Sequence, residues 1–249
     1  MLRHPDRSLK LSGASNFRDL GGYTGAGGRE VKWRHLFRSD HLAALTAEDE
    51  QALKSLGVAR AFDFRGVGER AAVPYNLQGM AQHSLPIEPT VVQRMKDLTE
   101  AGHQITPAET VELMQQTYRA FVHDNAARFG DLFKHLLESD QPLVFHCTAG
   151  KDRTGFAAAL ILRALDVPHD VVMQDYLLTN ELYRMPALSV HRAPQEVLNV
   201  LWRVQEAFLD AAMQAVEKDY GGVVAYLTDE LGVGERERAQ LKEMYLTQA

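Results

Sequence analysis

The segment HCTAGKDRTG, residues 146–155, constrains the fold more than any other part of the chain. It follows an apolar run at 143–147, which is too short for a helix and is typical of a strand buried on both faces. It leads into residues 154–165, whose pattern predicts a helix with small residues that let it lie close to a sheet. We therefore predict a buried strand, a tight loop containing a glycine, and a helix, in that order.

Strand-like and helical patterns alternate in the first part of the chain, and the last third is helical. Residues 33–39 and 58–64 predict strands on either side of a helix at 47–56, and 66–89 predicts loop with a short extended piece near 83–87. This alternation predicts an α/β fold, with a central, mainly parallel sheet flanked by helices and a helical C-terminal flank. Further helices are predicted at 90–101, 107–123, 126–138, 169–184, 194–218, 222–231 and 235–247.

Length and composition fit a single domain. The chain has 249 residues, of which 45% are hydrophobic and 24% charged, as in an average soluble globular protein. We predict one domain over 1–249 and a helical segment at 88–125, which is either an ordinary packed insertion or a lid over a site.

Cys147 is the one cysteine of the chain, and this excludes an internal disulfide, a cysteine-rich zinc site and a CxxC redox pair. No apolar run approaches the length of a transmembrane helix, and the N-terminus lacks a signal-peptide pattern. We predict a cytoplasmic location, although a signal-independent export route would leave no trace in the sequence.

The histidines lack ligand spacing, so we predict neither a metal site nor a cofactor. A net charge of −6 argues against a nucleic-acid partner, and we favour a monomer.

The loop at 146–155 has the chemistry of a phosphate site. Backbone N–H groups between a strand and a helix N-terminus surround an anion, and Gly150 lets the chain turn there. The planar fork of Arg153 matches two phosphoryl oxygens. The same positive field would stabilise the thiolate of Cys147, which is the nucleophilic form. The predicted phosphate-binding residues are Thr148, Ala149, Gly150, Lys151, Asp152 and Arg153.

HCTAGKDRTG matches the C-x5-R-[ST] loop of the protein tyrosine phosphatase superfamily. Together with NFRDLGG at residues 16–22, it resembles the bacterial and fungal tyrosine-protein phosphatase family with the HCxAGKDRT loop. The order and spacing of the two motifs extend the resemblance over nearly the whole chain. The resemblance implies a cysteine-phosphatase-like fold, a cysteinyl-phosphate intermediate and activity toward phosphotyrosine, phosphoserine and phosphoinositides.

The expected substrate is therefore a phosphorylated protein, with phosphotyrosine first and phosphoserine or phosphothreonine second. A phosphoinositide or another small phosphate monoester is the alternative substrate. A non-catalytic phosphate-binding module is the rival from another class, but such modules generally lack the cysteine or the arginine, and Cys147 and Arg153 are both present.

Two aspartates are candidates for the general acid, because neither tryptophan begins a Trp-Pro-Asp loop. Asp152 lies inside the loop, and Asp63 ends the predicted strand 58–64 at the sheet edge where α/β folds bind ligands. We favour Asp152, because a leaving-group acid must lie within hydrogen-bond reach. Asp63 is alternatively a structural carboxylate paired with Arg65 or Arg18.

Five residues are predicted to support this chemistry. Lys151 adds positive charge at the loop entrance, which suits substrates with a second phosphate. His146 orients the loop through backbone hydrogen bonds, and the hydroxyl of Thr154 donates to the thiolate. Arg65 and Glu69 form a buried pair behind the loop.

Overall fold

A central sheet organises the chain, whose computed structural model describes residues 4–88, 90–100, 102–185 and 194–248. Among these residues, five strands form one sheet in the order β1-β2-β5-β3-β4. The four strands from β2 to β4 run parallel, and β1 pairs antiparallel with β2. The predicted mainly parallel sheet is confirmed. The strands are β1 (Arg18–Asp19), β2 (Leu36–Ser39), β3 (Arg60–Asp63), β4 (Ala81–Ser84) and β5 (Leu143–His146).

Helices cover both faces of the sheet and make up the C-terminal part of the chain. Two of them begin with a reciprocal capping box, formed by Thr46 with Asp49 and by Thr106 with Glu109. The helices of the described residues are α1 (Ala47–Ser55), α2 (Val67–Ala72), α3 (Thr90–Glu100), α4 (Pro107–His123), α5 (Ala126–Glu138), α6 (Asp152–Ala164), α7 (His169–Leu177), α8 (Thr179–Leu182), α9 (Gln195–Trp202), α10 (Glu206–Tyr220), α11 (Val223–Asp229) and α12 (Glu235–Tyr245). None of the described helices is long and apolar enough to span a membrane.

The central strand β5 is buried on both faces, as its apolar sequence predicts. Val144 belongs to a smaller hydrophobic cluster on one face, whereas Leu143 and Phe145 belong to the main core on the other. The alanines of α6 are also in the main core, at or below 1% exposure, so that this helix packs directly on the sheet. The strand end and the helix start are thus held by packing on both sides.

The structure corrects one loop prediction and two helix predictions. Residues 66–89 contain α2, which has six residues and is too short to show a period in the sequence. The predicted helix at 194–218 is two helices, because the side chain of Asn180 hydrogen-bonds both backbone groups of Val204 at 2.9 Å and holds the chain out of helical conformation there. Similarly, 169–184 is divided into α7 and α8.

The segment 88–125 contains α3 and α4. Helix α4 belongs to the core, since its Leu113, Tyr118 and Phe121 are at most 8% exposed. The lid remains a prediction.

Candidate active site

Cys147 directly follows β5 at the carboxyl edge of the sheet, and α6 begins five residues later at Asp152. The register places His146 beside Ser39 on β2 and beside Asp63 on β3. The loop between Cys147 and α6 is therefore flanked by the ends of both neighbouring strands, where open α/β sheets bind ligands. Cys147 is 2% exposed.

Two buried side chains hold the loop from outside by its carbonyl groups. The side-chain amide of Asn16 donates to the carbonyl oxygens of Ala149 and Gly150 at 2.9 and 3.0 Å. Arg38 on β2 also donates to the carbonyl of Gly150, at 2.9 Å. Gly150 has φ +65°, and a Cβ there would lie 2.3 Å from the carbonyl oxygen of Ser39, so only glycine fits this turn.

The outward direction of these carbonyls fixes the direction of the loop N–H groups. His41 donates its backbone N–H to the carbonyl of Thr148 at 3.0 Å, so three successive carbonyls are held on the outside. In a trans peptide the N–H points opposite to the carbonyl of the same peptide unit. The N–H of residue 149 therefore points away from His41, and those of residues 150 and 151 point away from Asn16 and Arg38; within the described chain nothing accepts from them. Three adjacent N–H donors at a helix N-terminus can bind an anion.

A buried cluster of charged residues fixes the positions of Asn16 and Arg38, the two side chains that bind the loop. Asp175 on α7 accepts from Arg18 at 3.1 Å and from Arg38 at 2.7 Å, and Arg18 also donates to the side-chain oxygen of Asn16 at 2.5 Å. Burial by itself would raise the pKa of Asp175, but the charges of Arg18 and Arg38 hold it well below its ordinary value. We call these four residues, Asn16, Arg18, Arg38 and Asp175, the floor of the loop.

Arg153 is held at one edge and open at the other. Its Nη1 and Nη2 donate to the carboxylate of Glu69 at 2.6 and 3.0 Å, and Nη1 also donates to the carbonyl of Ile87 at 2.9 Å. Within the described residues, no group accepts from its Nε, so the side edge of the guanidinium remains available for a bidentate anion. Burial opposes the charge of Arg153, but the neighbouring Cys147 and Glu69 outweigh burial and raise the pKa of the guanidinium.

Glu69 and Thr148 form the outer border of this site, which we call the mouth of the loop. The hydroxyl of Thr148 donates to Glu69, and the side chain of Glu69 is 22% exposed. Burial opposes the ionisation of Glu69, but the hydrogen bonds and charge of Arg153 lower its pKa to about 2. Arg65 does not contact Glu69, so the predicted Arg65–Glu69 pair is wrong: Arg153 is the partner of Glu69, because α2 places this carboxylate over the loop.

The two candidate acids differ in what they contact. Asp63 accepts from the side chain of Arg65 at distances between 2.8 and 3.1 Å, in the structural pairing that was its alternative role. Asp152 lies at the start of α6, and its Oδ1 accepts from the hydroxyl of Tyr118 at 3.0 Å. The side chain of Asp152 is 26% exposed, and its Oδ2 lies 3.7 Å from the ammonium of Lys151.

His146 contacts the loop through the backbone. Its Nδ1 lies 3.1 Å from the carbonyl of Cys147, and its Nε2 lies 2.6 Å from the hydroxyl of Tyr75. Burial lowers the pKa of His146 to about 4, so the ring is neutral near neutral pH. Because a carbonyl can only accept, Nδ1 carries the proton and the Tyr75 hydroxyl donates to Nε2.

Lys151 and Thr154 are both buried. The ammonium of Lys151 donates to the carbonyl of Leu201 at the end of α9 and lies 3.7 Å from the carboxylate of Asp152. The hydroxyl of Thr154 has no hydrogen-bond partner in the described part of the chain, so its donation to the thiolate stays a prediction. Among the described residues there is no group of three His, Cys, Asp or Glu side chains close enough to hold a metal ion.

Four residues of the site were missed in the sequence: Arg38, Asp175, Tyr118 and Tyr176. Arg38 had a signal, because a charged residue inside an otherwise buried strand needs a charged partner. Asp175, Tyr118 and Tyr176 lie on helices, where nothing in the sequence distinguishes them from ordinary core or surface residues.

Fold and loop together define the class of protein. A mainly parallel sheet whose central strand delivers one cysteine to an amide-lined loop, closed by one arginine, is the cysteine-phosphatase architecture. The model of the tyrosine phosphatase family matches residues 9–247, and the chain belongs to this family.

Two relatives extend over most of the chain. A putative tyrosine-protein phosphatase of Cupriavidus necator is 37% identical over 96% of this chain and 88% of its own length. The triple specificity protein phosphatase PtpB of Mycobacterium tuberculosis is 30% identical over 88% of this chain and 92% of its own length. A crystal structure of P. aeruginosa TpbA in complex with phosphotyrosine is 16% identical, covers 74% of this chain and 86% of that one, and gives a TM-score of 0.33. The protein is a protein-tyrosine-phosphatase-type hydrolase, and its family implies a cysteine mechanism.

Proposed function

We propose that Cys147 is the nucleophile that removes phosphate from phosphotyrosine in proteins. The proposal depends on the hydrogen bonds that hold the carbonyl groups of residues 148–150. Because these carbonyls are bound, the N–H groups of residues 149–151 point to the opposite side and have no acceptor among the described residues. A phosphate dianion and an attacking thiolate place dense negative charge in one position. Fixed N–H donors, the helix N-terminus and the open edge of Arg153 stabilise it without reorganising during the reaction.

The reaction has two steps. The sulfur of Cys147 attacks phosphorus, the S–P bond forms as the ester P–O bond breaks, and Asp152 gives its proton to the leaving oxygen. In the second step the carboxylate of Asp152 takes a proton from water, whose oxygen attacks phosphorus. The S–P bond then breaks, which releases phosphate and regenerates the thiolate. Arg153 and the loop N–H groups hold the equatorial oxygens throughout.

Asp152 is the proposed acid because Asp63 is already engaged by Arg65. Three hydrogen bonds from the guanidinium of Arg65 occupy both carboxyl oxygens of Asp63. Asp152 has one carboxyl oxygen bound to Tyr118, and among the described residues the other accepts no hydrogen bond and lies 3.7 Å from the ammonium of Lys151.

Phosphoserine, phosphothreonine and phosphoinositides are proposed as further substrates on the resemblance of the HCTAGKDRTG loop, and a relative with 30% identity is named a triple specificity phosphatase. A substrate with a second phosphate would use Lys151 only by replacing the carbonyl of Leu201 as its partner. For this reason we place phosphoinositides after phosphotyrosine. We further propose that the protein acts as a monomer in the cytoplasm, where its lone thiol stays reduced.

The test compares wild type and Cys147→Ser on an aryl phosphate, a phosphotyrosine peptide, a phosphoserine peptide and a phosphoinositide panel, with EDTA present. We expect wild type to hydrolyse the aryl and phosphotyrosine esters and Cys147→Ser to be inactive on all of them. A serine variant that keeps activity would overturn the nucleophile assignment. A wild type inactive on every ester while binding tungstate would favour the non-catalytic phosphate-binding module.

A second comparison separates the two aspartates. Asp152→Asn should lose rate most on esters with poor leaving groups, because only those need a proton in the transition state. Asp63→Asn should lower stability and leave the dependence on the leaving group unchanged. The reverse pattern would assign the acid to Asp63.

A further inference from the structure

Two buried tyrosines lie behind the proposed acid. The hydroxyl of Tyr118, on α4, is 3.0 Å from Oδ1 of Asp152 and 2.6 Å from the hydroxyl of Tyr176, on α7. Tyr118 is 0% and Tyr176 1% exposed. Neither tyrosine belongs to the loop, and the two reaction steps above use neither of them.

Each hydroxyl has one proton, which fixes the direction of this short chain. An ionised Asp152 can only accept, so Tyr118 donates to Oδ1 and Tyr176 donates to the oxygen of Tyr118. When Asp152 is protonated, the same bond from Tyr118 keeps Oδ1 as an acceptor. The acidic proton is then on Oδ2, the oxygen that lies 3.7 Å from the ammonium of Lys151.

We propose that Tyr118, supported by Tyr176, is the positioning residue of the general acid, which holds the Asp152 carboxyl so that Oδ2 presents its proton to the leaving oxygen. The inference rests on the proposed acid role of Asp152. The physical need is clear: α6 fixes the backbone of Asp152, but the side chain keeps two rotatable bonds, and proton transfer requires hydrogen-bond distance. A bond to Oδ1 restricts that freedom, and among the described residues Oδ2 accepts no hydrogen bond.

The packing around Tyr176 fits this role. A Cβ on Gly155, three residues after Asp152, would lie 2.9 Å from two ring carbons of Tyr176. The glycine therefore makes room for the ring against the first turn of α6. The rings of Tyr118 and Tyr176 meet edge to face, at 6.2 Å and 80°. Burial first, and then the charge of Asp152, raises the pKa of both hydroxyls well above the ordinary value, so both stay protonated and Tyr118 remains a donor.

The experiment measures kcat/KM on two esters for each variant: phenyl phosphate, whose phenoxide leaves poorly, and para-nitrophenyl phosphate, whose phenoxide leaves readily. The variants are Tyr118→Phe, Tyr176→Phe and Asp152→Asn. Tyr226→Phe is the matched control, because the Tyr226 hydroxyl is equally buried and donates to the carbonyl of Val122 at 3.0 Å. The ratio of the two rates is taken within one sample, so a partly unfolded preparation does not change it.

We expect Tyr118→Phe to lose about tenfold on phenyl phosphate, the worth of one hydrogen bond, and to change little on para-nitrophenyl phosphate. The loss should be in kcat, with KM unchanged, because the phosphate contacts remain. Tyr176→Phe should show the same selective loss at smaller size, and Tyr226→Phe none. Equal losses on both esters for Tyr118→Phe and Tyr226→Phe would overturn the positioning role and leave it a purely structural residue.

A double variant separates this inference from the proposed function. If Tyr118 acts through Asp152, adding Tyr118→Phe to Asp152→Asn should cause no further selective loss. A further selective loss in the double variant would show that Tyr118 acts elsewhere, while Asp152 would remain the acid. If Asp152→Asn by itself loses equally on both esters, the acid assignment and the positioning role both fail.

Discussion

The floor and the mouth of the loop contact the same short segment but differ in their surroundings. The floor residues Arg18, Arg38 and Asp175 are at most 1% exposed, whereas the mouth residue Thr148 is exposed and Glu69 is half-buried. Within the floor, Asn16 and Arg38 bind carbonyl groups of the loop, and Arg18 and Asp175 hold these two side chains in place. In the mouth, Thr148 donates to Glu69, and Glu69 binds the guanidinium of Arg153, which we propose to hold the anion itself. The comparison shows two kinds of support. In the buried floor, desolvated charges must be paired, and this pairing fixes the shape of the loop. In the mouth, water can replace a lost partner, so each contact there is less critical.

The largest expected effect comes from removing the centre of the floor. Asp175→Asn leaves Arg18 and Arg38 buried without a counter-charge, and loss of one partner of such a cluster costs about 3–5 kcal/mol. We expect urea unfolding to show this loss, together with reduced phosphatase activity. The control is Glu243→Gln, which breaks an exposed pair with Arg29 and should cost less than about 1 kcal/mol. If both variants lose the same free energy of unfolding, the buried pairs of the floor are no more important for stability than an exposed ion pair.

Lowering the pH should reduce the stability of the protein through His146, at the end of β5, before Glu69 in the mouth becomes protonated. The folded pKa of His146 is about 4, below the ordinary 6.5, so the unfolded chain binds a proton between these pH values and the folded chain does not. Stability therefore falls as pH drops from 6.5 to 4, with a slope of up to about 1.4 kcal/mol per pH unit from this histidine. Glu69, with a pKa of about 2, stays ionised throughout.

The measurement is urea unfolding at several pH values from 7 to 4. His146→Asn, which keeps a donor for the carbonyl of Cys147, should show a flatter pH dependence than wild type. His41 and His83, whose pKa values burial also lowers, act in the same direction in both proteins. Parallel curves for wild type and variant would contradict a neutral, buried His146.

Asn16→Ala tests the floor through hydrogen bonds alone. It removes the side-chain donor to the carbonyl of Ala149 and one of the two donors to the carbonyl of Gly150, which keeps Arg38, and leaving a buried carbonyl unsatisfied costs about 1–3 kcal/mol. Because those carbonyls direct the loop N–H groups, kcat/KM should fall by more than tenfold at a temperature where the variant is folded. Tyr245→Phe is the matched control: its buried hydroxyl also contacts two carbonyls, those of Leu136 and Ser139, and its loss should lower stability only.

The smallest expected effect belongs to the mouth. Glu69→Gln keeps the shape of the side chain but removes its charge, so Arg153 is held less firmly. We expect kcat/KM to fall about threefold to tenfold, and stability at pH 7 to fall by about 1–2 kcal/mol, because solvent partly replaces the pair. Glu112→Gln, on an exposed pair with Arg119, is the control that should change neither. If Glu69→Gln loses more activity than Asn16→Ala, the mouth contributes more to kcat/KM than the floor, and the expected order is wrong.

The local elements could be predicted because their causes are local. Each of these elements has its signal within its own residues. Examples are the capping boxes at Thr46 and Thr106, the apolar run at 143–147 and the alanines after the loop. The short helix α2 and the break between α9 and α10 could not be predicted in this way. Six residues carry no period, and the break depends on Asn180, which is distant in the chain.

The sequence by itself determined the reactive segment: a strand, a cysteine, a glycine turn, an arginine and a helix within about a dozen positions, because backbone geometry and anion chemistry are encoded there side by side. Tertiary structure alone decided which distant groups complete it. Asp175 pairs with Arg38, Glu69 with Arg153 rather than Arg65, and Tyr118 with Asp152. The physical reason is that a buried charge or hydroxyl needs a partner, but any element that packs nearby can supply one, and the sequence does not record which element that is.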